Sequence, residues 1–163
     1  MRRTRPWPAI SCVAVLFGAL AAGGITTSAR ASDAPERWTA TSTTAISITG
    51  NITFSPGRIV FQNGRALPLA AVGRAAAFRD ADATLAATVY RVTTPADPLL
   101  LNGNRLCGGA AHALPVTYLA IWIPQPLPGE KAPRTMAAFS GHSPPRSSDG
   151  AGACGTYSYD AGG

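Results

Sequence analysis

The sequence predicts a mainly β fold: a single-domain antiparallel sandwich or small barrel of about six or seven strands, with one disulfide. Three observations carry this. Asn63-Gly64 stands between two apolar runs, the pattern of a tight hairpin, because both residues accept positive φ. The run 116–123 is apolar on both faces and interrupted only by Thr117, as in a central strand or one curling into a barrel. Two cysteines, Cys107 and Cys154, remain once an export leader is set aside, and an even count in an exported chain favours a bridge.

The leader alters every count of the mature chain. Arg2, Arg3 and Arg5 form a basic start, residues 9–25 are apolar and uncharged, and Ala29-Arg30-Ala31 offers small residues where a signal peptidase reads. Residues 1–31 are therefore expected as a signal peptide cut near Ala31, leaving a periplasmic or secreted chain of a bacterial kind. The competing reading is a retained anchor. The apolar run is near the lower limit for a bilayer span and is rich in Ala and Gly rather than Leu. Cys12 lies inside that run rather than after it, which excludes a lipoprotein pattern.

The whole chain carries a formal charge of +6, but four of its arginines fall within the leader. The mature chain keeps ten Lys/Arg against eight Asp/Glu, a net +2, and its basic residues are scattered singly. Nucleic acid would want a concentrated basic patch, and none is visible. No membrane span is expected in the mature chain.

In chain order, residues 32–42 are expected as a flexible leading segment, with Trp38 as a first packing anchor. A β-domain over 43–160 comes next. Ile46, Ile48, Ile52 and Phe54 share one parity across Gly50, which favours one strand, bent or bulged at the glycine, over a turn. Ser55-Pro56-Gly57-Arg58 is a turn, and 59–61 and 66–69 are the arms of the Asn-Gly hairpin, with Pro68 at an edge or strand end. Residues 70–83 are rich in alanine but contain Gly73, so a loop with at most one helical turn is expected. Further strands are expected at 84–92, 116–123 and 134–140. Residues 141–153 are rich in Gly, Ser and Pro and are expected to be mobile. The last strand starts at Cys154. A Cys107–Cys154 bridge would close a loop of about 47 residues and contribute about 4 kcal/mol in the chain-entropy account.

Catalytic patterns are weak. His112 and His142 are the only histidines, and Ser140 or Ser143 beside His142 are sequence neighbours, which seldom have triad geometry. No Gly-x-Ser-x-Gly elbow occurs. The two histidines and two cysteines lack the paired short spacing of a zinc site, and no cofactor motif is found. The acidic residues, Asp97 among them, fall in predicted loops or tails, where solvation accounts for them. Asp80-Ala81-Asp82 lacks further ligands at calcium-loop spacing. Tyr157 and Tyr159 share one strand face, as do Tyr118 and Trp122, and such pairs are ordinarily packing. If the fold is a barrel, its mouth is the default ligand site.

The segments Ile46-Ser-Ile-Thr-Gly-Asn-Ile-Thr-Phe, Tyr90-Arg-Val-Thr-Thr-Pro-Ala-Asp-Pro, Leu101-Asn-Gly-Asn-Arg-Leu-Cys-Gly and Cys154-Gly-Thr-Tyr-Ser-Tyr resemble those of small exported bacterial proteins of unassigned function. The resemblance implies a single disulfide-bonded exported domain and brings no catalytic residue with it. The expected role is binding of a protein or small-molecule partner, as an envelope-associated or inhibitor-like module. Two alternatives stand beside it: a small secreted hydrolase using His142 or His112, and a passive structural component of the envelope.

Overall fold

A computed structural model describes residues 34–109, 112–125 and 133–162; the expected leader lies outside them. Eight strands run in sequence order around a closed antiparallel barrel: β1 (Glu36–Ala40), β2 (Ile52–Ser55), β3 (Arg58–Val60), β4 (Ala66–Asp80), β5 (Ala83–Ala96), β6 (Val116–Trp122), β7 (Pro133–Phe139) and β8 (Ala153–Ala161). The expected sandwich-or-barrel choice resolves to a barrel, with eight strands rather than six or seven. The unexpected strand structure lies where propensity is poor.

The first such place is β1. Residues 36–40, expected to be flexible, pair Trp38 with Ile52 on one side and with Ala161 on the other, which closes the ring. Closure leaves the barrel no free edge. The second is the long β4, which occupies the alanine-rich stretch expected as loop. It pairs along β5 from Leu69↔Val92 to Asp80↔Ala83, with register shifts between Ala71 and Gly73 and between Ala75 and Phe78. Long-range pairing outweighs helix propensity worth only tenths of a kcal/mol per residue. Pro68 sits opposite Arg58 just before pairing with β5 begins, so its missing N–H interrupts only one side of the ladder.

The single strand expected across Gly50 is also corrected. Residues Ala45–Thr49 form a π-helical turn, closed by the Gly50 N–H donating to the Ala45 carbonyl at 2.8 Å. Gly50 has φ 61° and ψ −158°, a region essentially reserved for glycine. A Cβ there would collide with the Gln62 side chain, whose Oε1 accepts the Asn51 N–H at 2.9 Å. The shared parity of the isoleucines is coincidental: Ile46 is exposed, while Ile52 and Phe54 are buried.

Alternation along the strands sends Trp38, Ile52, Phe54, Leu119, Met136 and Tyr159 inward, where they belong to one continuous core. These side chains fill the middle of the ring, as expected of eight strands. The outer wall divides in two. Beside β1, β2 and β8 it carries Arg37, Thr39, Thr53, Thr156, Ser158 and Asp160, side chains suited to water. Across β5, β6 and β7 it is apolar, and Ala87, Val89, Ala120, Trp122, Ala137 and Phe139 join Phe78 in a second core. Both faces of 116–122 are thus buried, one in each core, which explains the doubly apolar pattern of that run.

The segment 141–152 helps to cover the second core. The Arg79 N–H donates to the Arg146 carbonyl at 3.0 Å, the Ser148 N–H donates to the Arg79 carbonyl at 2.9 Å, and Ser147 is buried. The expectation of a mobile loop does not fit these anchors. Gly, Ser and Pro content reports the lack of regular structure, not the lack of contacts.

Candidate barrel-mouth site

The two ends of the barrel differ. At the end where β1 finishes and β6 begins, the interior is plugged. The π-helical turn and a 3₁₀ turn at Leu101–Gly103 meet there, with the Asn102 and Asn104 side-chain amides donating to the Ser47 carbonyl at 3.0 and 3.3 Å. Leu100 and Leu106 are buried in the main core. Two tyrosines of β8 hold the plug from within. Tyr159 Oη and Thr49 Oγ1 lie 2.7 Å apart, and Tyr157 Oη donates to the Leu106 carbonyl at 3.1 Å. Burial raises the pKa of both phenols. The charge of Asp97 pushes Tyr157 further up, whereas the Thr49 bond pulls Tyr159 back in part.

Cys107 and Cys154 form the disulfide, with Cα atoms 4.6 Å apart, tying the plug loop to the start of β8. Asp97 organises that loop. Its buried carboxylate accepts N–H groups from Leu106 (2.9 Å), Cys107 (3.3 Å), Gly108 (2.7 Å) and Leu114 (3.3 Å). The Arg105 guanidinium bonds to the Asp97 carbonyl. The expectation of a solvated loop acid at Asp97 is thereby corrected: four amides in a tight loop need an internal acceptor, and this carboxylate is it.

At the opposite end lies a cavity of about 390 Å³. Its floor is aromatic: Trp38 stacks on Phe54 with centroids 4.8 Å apart, and Phe54 meets Tyr90 edge-on at 5.4 Å. Register sets the remaining walls. Glu36 is opposite Phe54, Arg74 opposite Thr88, Thr88 opposite Ile121, and Arg134 opposite Tyr159. Directly paired residues share a face, so Glu36, Arg74, Thr88 and Arg134 take the inward face of the ring at this mouth and line the cavity.

Among the described residues, two cations and one anion line the mouth. Glu36 Oε2 accepts the Trp38 indole N–H at 3.0 Å, which orients the indole over the core. Burial and the Glu36 charge together raise the pKa of Tyr90, so the carboxylate is felt well inside the barrel. Arg134 is half-buried, its guanidinium donating to the Pro133 carbonyl at 3.5 Å, and Arg74 is exposed; neither is in an ion pair with a carboxylate among the described residues.

The sequence-level candidates for catalysis fall elsewhere. His112 is exposed, its N–H donating to the Gly109 carbonyl at 3.2 Å. His142 is exposed beside a surface hollow of about 300 Å³ shared with Arg91, Thr93, Thr117 and Tyr118. No carboxylate is among the described residues that line that hollow, and Thr117 Oγ1 is committed to the Phe139 and Gly141 carbonyls. Asp80 accepts the Trp122 indole N–H at 3.1 Å, a packing role at the second core. Among the described residues no three His, Cys, Asp or Glu side chains gather as metal ligands.

Sequence reasoning missed Glu36, Arg74 and Arg134. Singly placed charges carry no motif, and only strand register brings them together. No protein-family model, curated protein or solved structure matches the chain.

Proposed function

We propose that the protein is an exported β-barrel module that acts by binding, and that it takes its ligand at the mouth lined by Trp38, Phe54, Ile121, Glu36, Arg74 and Arg134. The observation that carries this is the asymmetry of the two ends. Among the described residues, one is closed by two turns, two tyrosine bonds and a disulfide, whereas the other borders a cavity of about 390 Å³. Convergent polar groups beside apolar side chains are the usual lining of a small-molecule site, and Glu36, Arg74 and Arg134 stand here beside Trp38, Phe54 and Ile121. Export is supported by the leader pattern and by the disulfide, a bond that persists in oxidising compartments. No helix among the described residues is long and apolar enough to cross a membrane. The polar outer wall beside β1, β2 and β8 is the reverse of the apolar band that lipid-facing strands carry.

The test is to map chemical-shift changes in the labelled protein on adding fractionated periplasmic extract. Binding at the mouth predicts shifts of the Trp38 indole and Ile121 methyl groups, with the plug residues Thr49 and Leu106 unmoved. An absence of any shift, or shifts confined to the plugged end, overturns the reading.

A further inference from the structure

We infer that the edge of β4 over residues 70–77 is a docking site for a short extended segment of another polypeptide, taken up by strand addition. β4 has 15 residues, but β3 covers only its start, through Arg58↔Pro68, Ile59↔Leu67 and Val60↔Ala66. The Leu69 N–H still reaches the Gly57 carbonyl at 2.9 Å, and beyond it the hairpin of β4 and β5 outruns the ring. Cover returns at Arg79, whose backbone bonds to Arg146 and Ser148. Between those points, among the described residues, β4 pairs with β5 on one side and with no backbone on the other. An apolar face can be covered in many ways. A strand edge is more particular, because its unpaired N–H and C=O groups are met in register only by another extended backbone.

The side chains narrow the partner. Ala71, Val72, Ala76 and Ala77 are exposed, Val72 by half. Proline, which blunts edges, stops at Pro68, and Arg74 is the sole charge over 70–77. Alongside is a hollow of about 760 Å³, lined by Val72 and Ala75 of β4, Val89 of β5, and Pro144 and Pro145 of the covering segment. The two prolines have no N–H with which to satisfy the edge themselves. Small or apolar side chains suit such a lining. The register shifts at Ala71/Gly73 and Ala75/Phe78 bend the edge, so it takes a short strand rather than templating a long one. In a second copy the same edge is flanked by the same covering segment, which favours a free-standing strand over pairing of two copies.

The test uses the purified full chain and a fluorescein-labelled peptide copying residues 84–92, the stretch that already pairs with β4 on its other side. In the free protein, amides of 70–77 that are not bonded to β5 should exchange as fast as loop amides, and the peptide should slow them. Methylating alternate peptide nitrogens should abolish binding in one phase and leave it unchanged in the other. Only alternate N–H groups of a strand face a given neighbour. Val72→Lys combined with Ala76→Lys, both at exposed positions, should weaken binding by roughly tenfold or more, with the urea midpoint unchanged. Full protection of 70–77 in the free protein would mean that the chain covers its own edge, and overturns the inference. A peptide that fails to bind, or that binds equally in both methylated forms, overturns it as well. A monomer–dimer equilibrium abolished by the two lysines would give the edge to a second copy and overturn its assignment to another polypeptide.

Discussion

The carboxylate of Asp97 and the amide of Gly108 are joined at 2.7 Å, 11 residues apart in a loop whose only regular structure is the 3₁₀ turn at Leu101–Gly103. The same side chain serves Leu106, Cys107 and Leu114, so one acid replaces the ladder that a strand would have provided. Asp97→Ala leaves those amides buried or half-buried without an acceptor. Each bond to a charged acceptor is worth about 1.5–3 kcal/mol. A loss of about 3 kcal/mol or more is expected by urea denaturation, with Asp97→Asn recovering part of it. A variant within about 0.5 kcal/mol of wild type, the range of an ordinary surface substitution, would show that the loop is held by other means.

The Cys107–Cys154 bridge fastens the same loop to β8 over a separation of 47 residues. Cys154→Ser is expected to lower stability by about 2–5 kcal/mol. The plug should loosen before the ring does, so exchange protection should fall first at the Leu106 amide. Intact mass of the exported protein under non-reducing conditions provides the direct check: two free thiols there would rule the bridge out.

Phe78 lies outside the ring and is nonetheless fully buried, its ring 5.2 Å from that of Trp122. The outer core therefore contributes stability of its own. Phe78→Ala should cost about 3–5 kcal/mol, as much as a truncation inside the barrel. Phe78→Leu should cost much less. If Phe78→Ala unfolds at the wild-type urea concentration, the outer face is a loose cover rather than a core.

The parts of the fold legible in the sequence are those that rest on local chemistry or on counting: the Asn63-Gly64 turn, the strand at 116–122 and the bridge. Gly50 misleads because a two-residue period survives by chance across a π turn, and its backbone conformation and the neighbouring Gln62, which require glycine, show only in the structure. β1 and the second half of β4 are made by their partners rather than by their own residues, so neither composition nor periodicity marks them. Asp97 looks like a solvated acid because its partners are backbone amides, which leave no trace in a sequence. The mouth is invisible for a related reason. Glu36, Arg74 and Arg134 stand on strands 1, 4 and 7, and only closure of the ring brings them to one opening.

Alkaline pH offers a test of the interior as a whole. Tyr90, Tyr157 and Tyr159 are all buried, and burial raises each phenol above the ordinary value of 10.0. Because the folded-state values are raised, the native protein keeps these protons at a pH where the unfolded chain has released them. Their contribution is therefore complete below about pH 10 and is lost as pH rises beyond it. Each phenol adds a slope of at most about 1.4 kcal/mol per pH unit. Urea denaturation should show flat stability through neutral pH and a steep decline above about pH 10, with phenolate absorbance from these tyrosines appearing only as the barrel opens. Tyr157→Phe and Tyr159→Phe each remove one buried phenol, so both should flatten the decline, even though each loses about 1 kcal/mol at neutral pH with its hydrogen bond. A decline of unchanged steepness in the double variant would assign alkaline unfolding to other groups and disprove this role for the buried phenols.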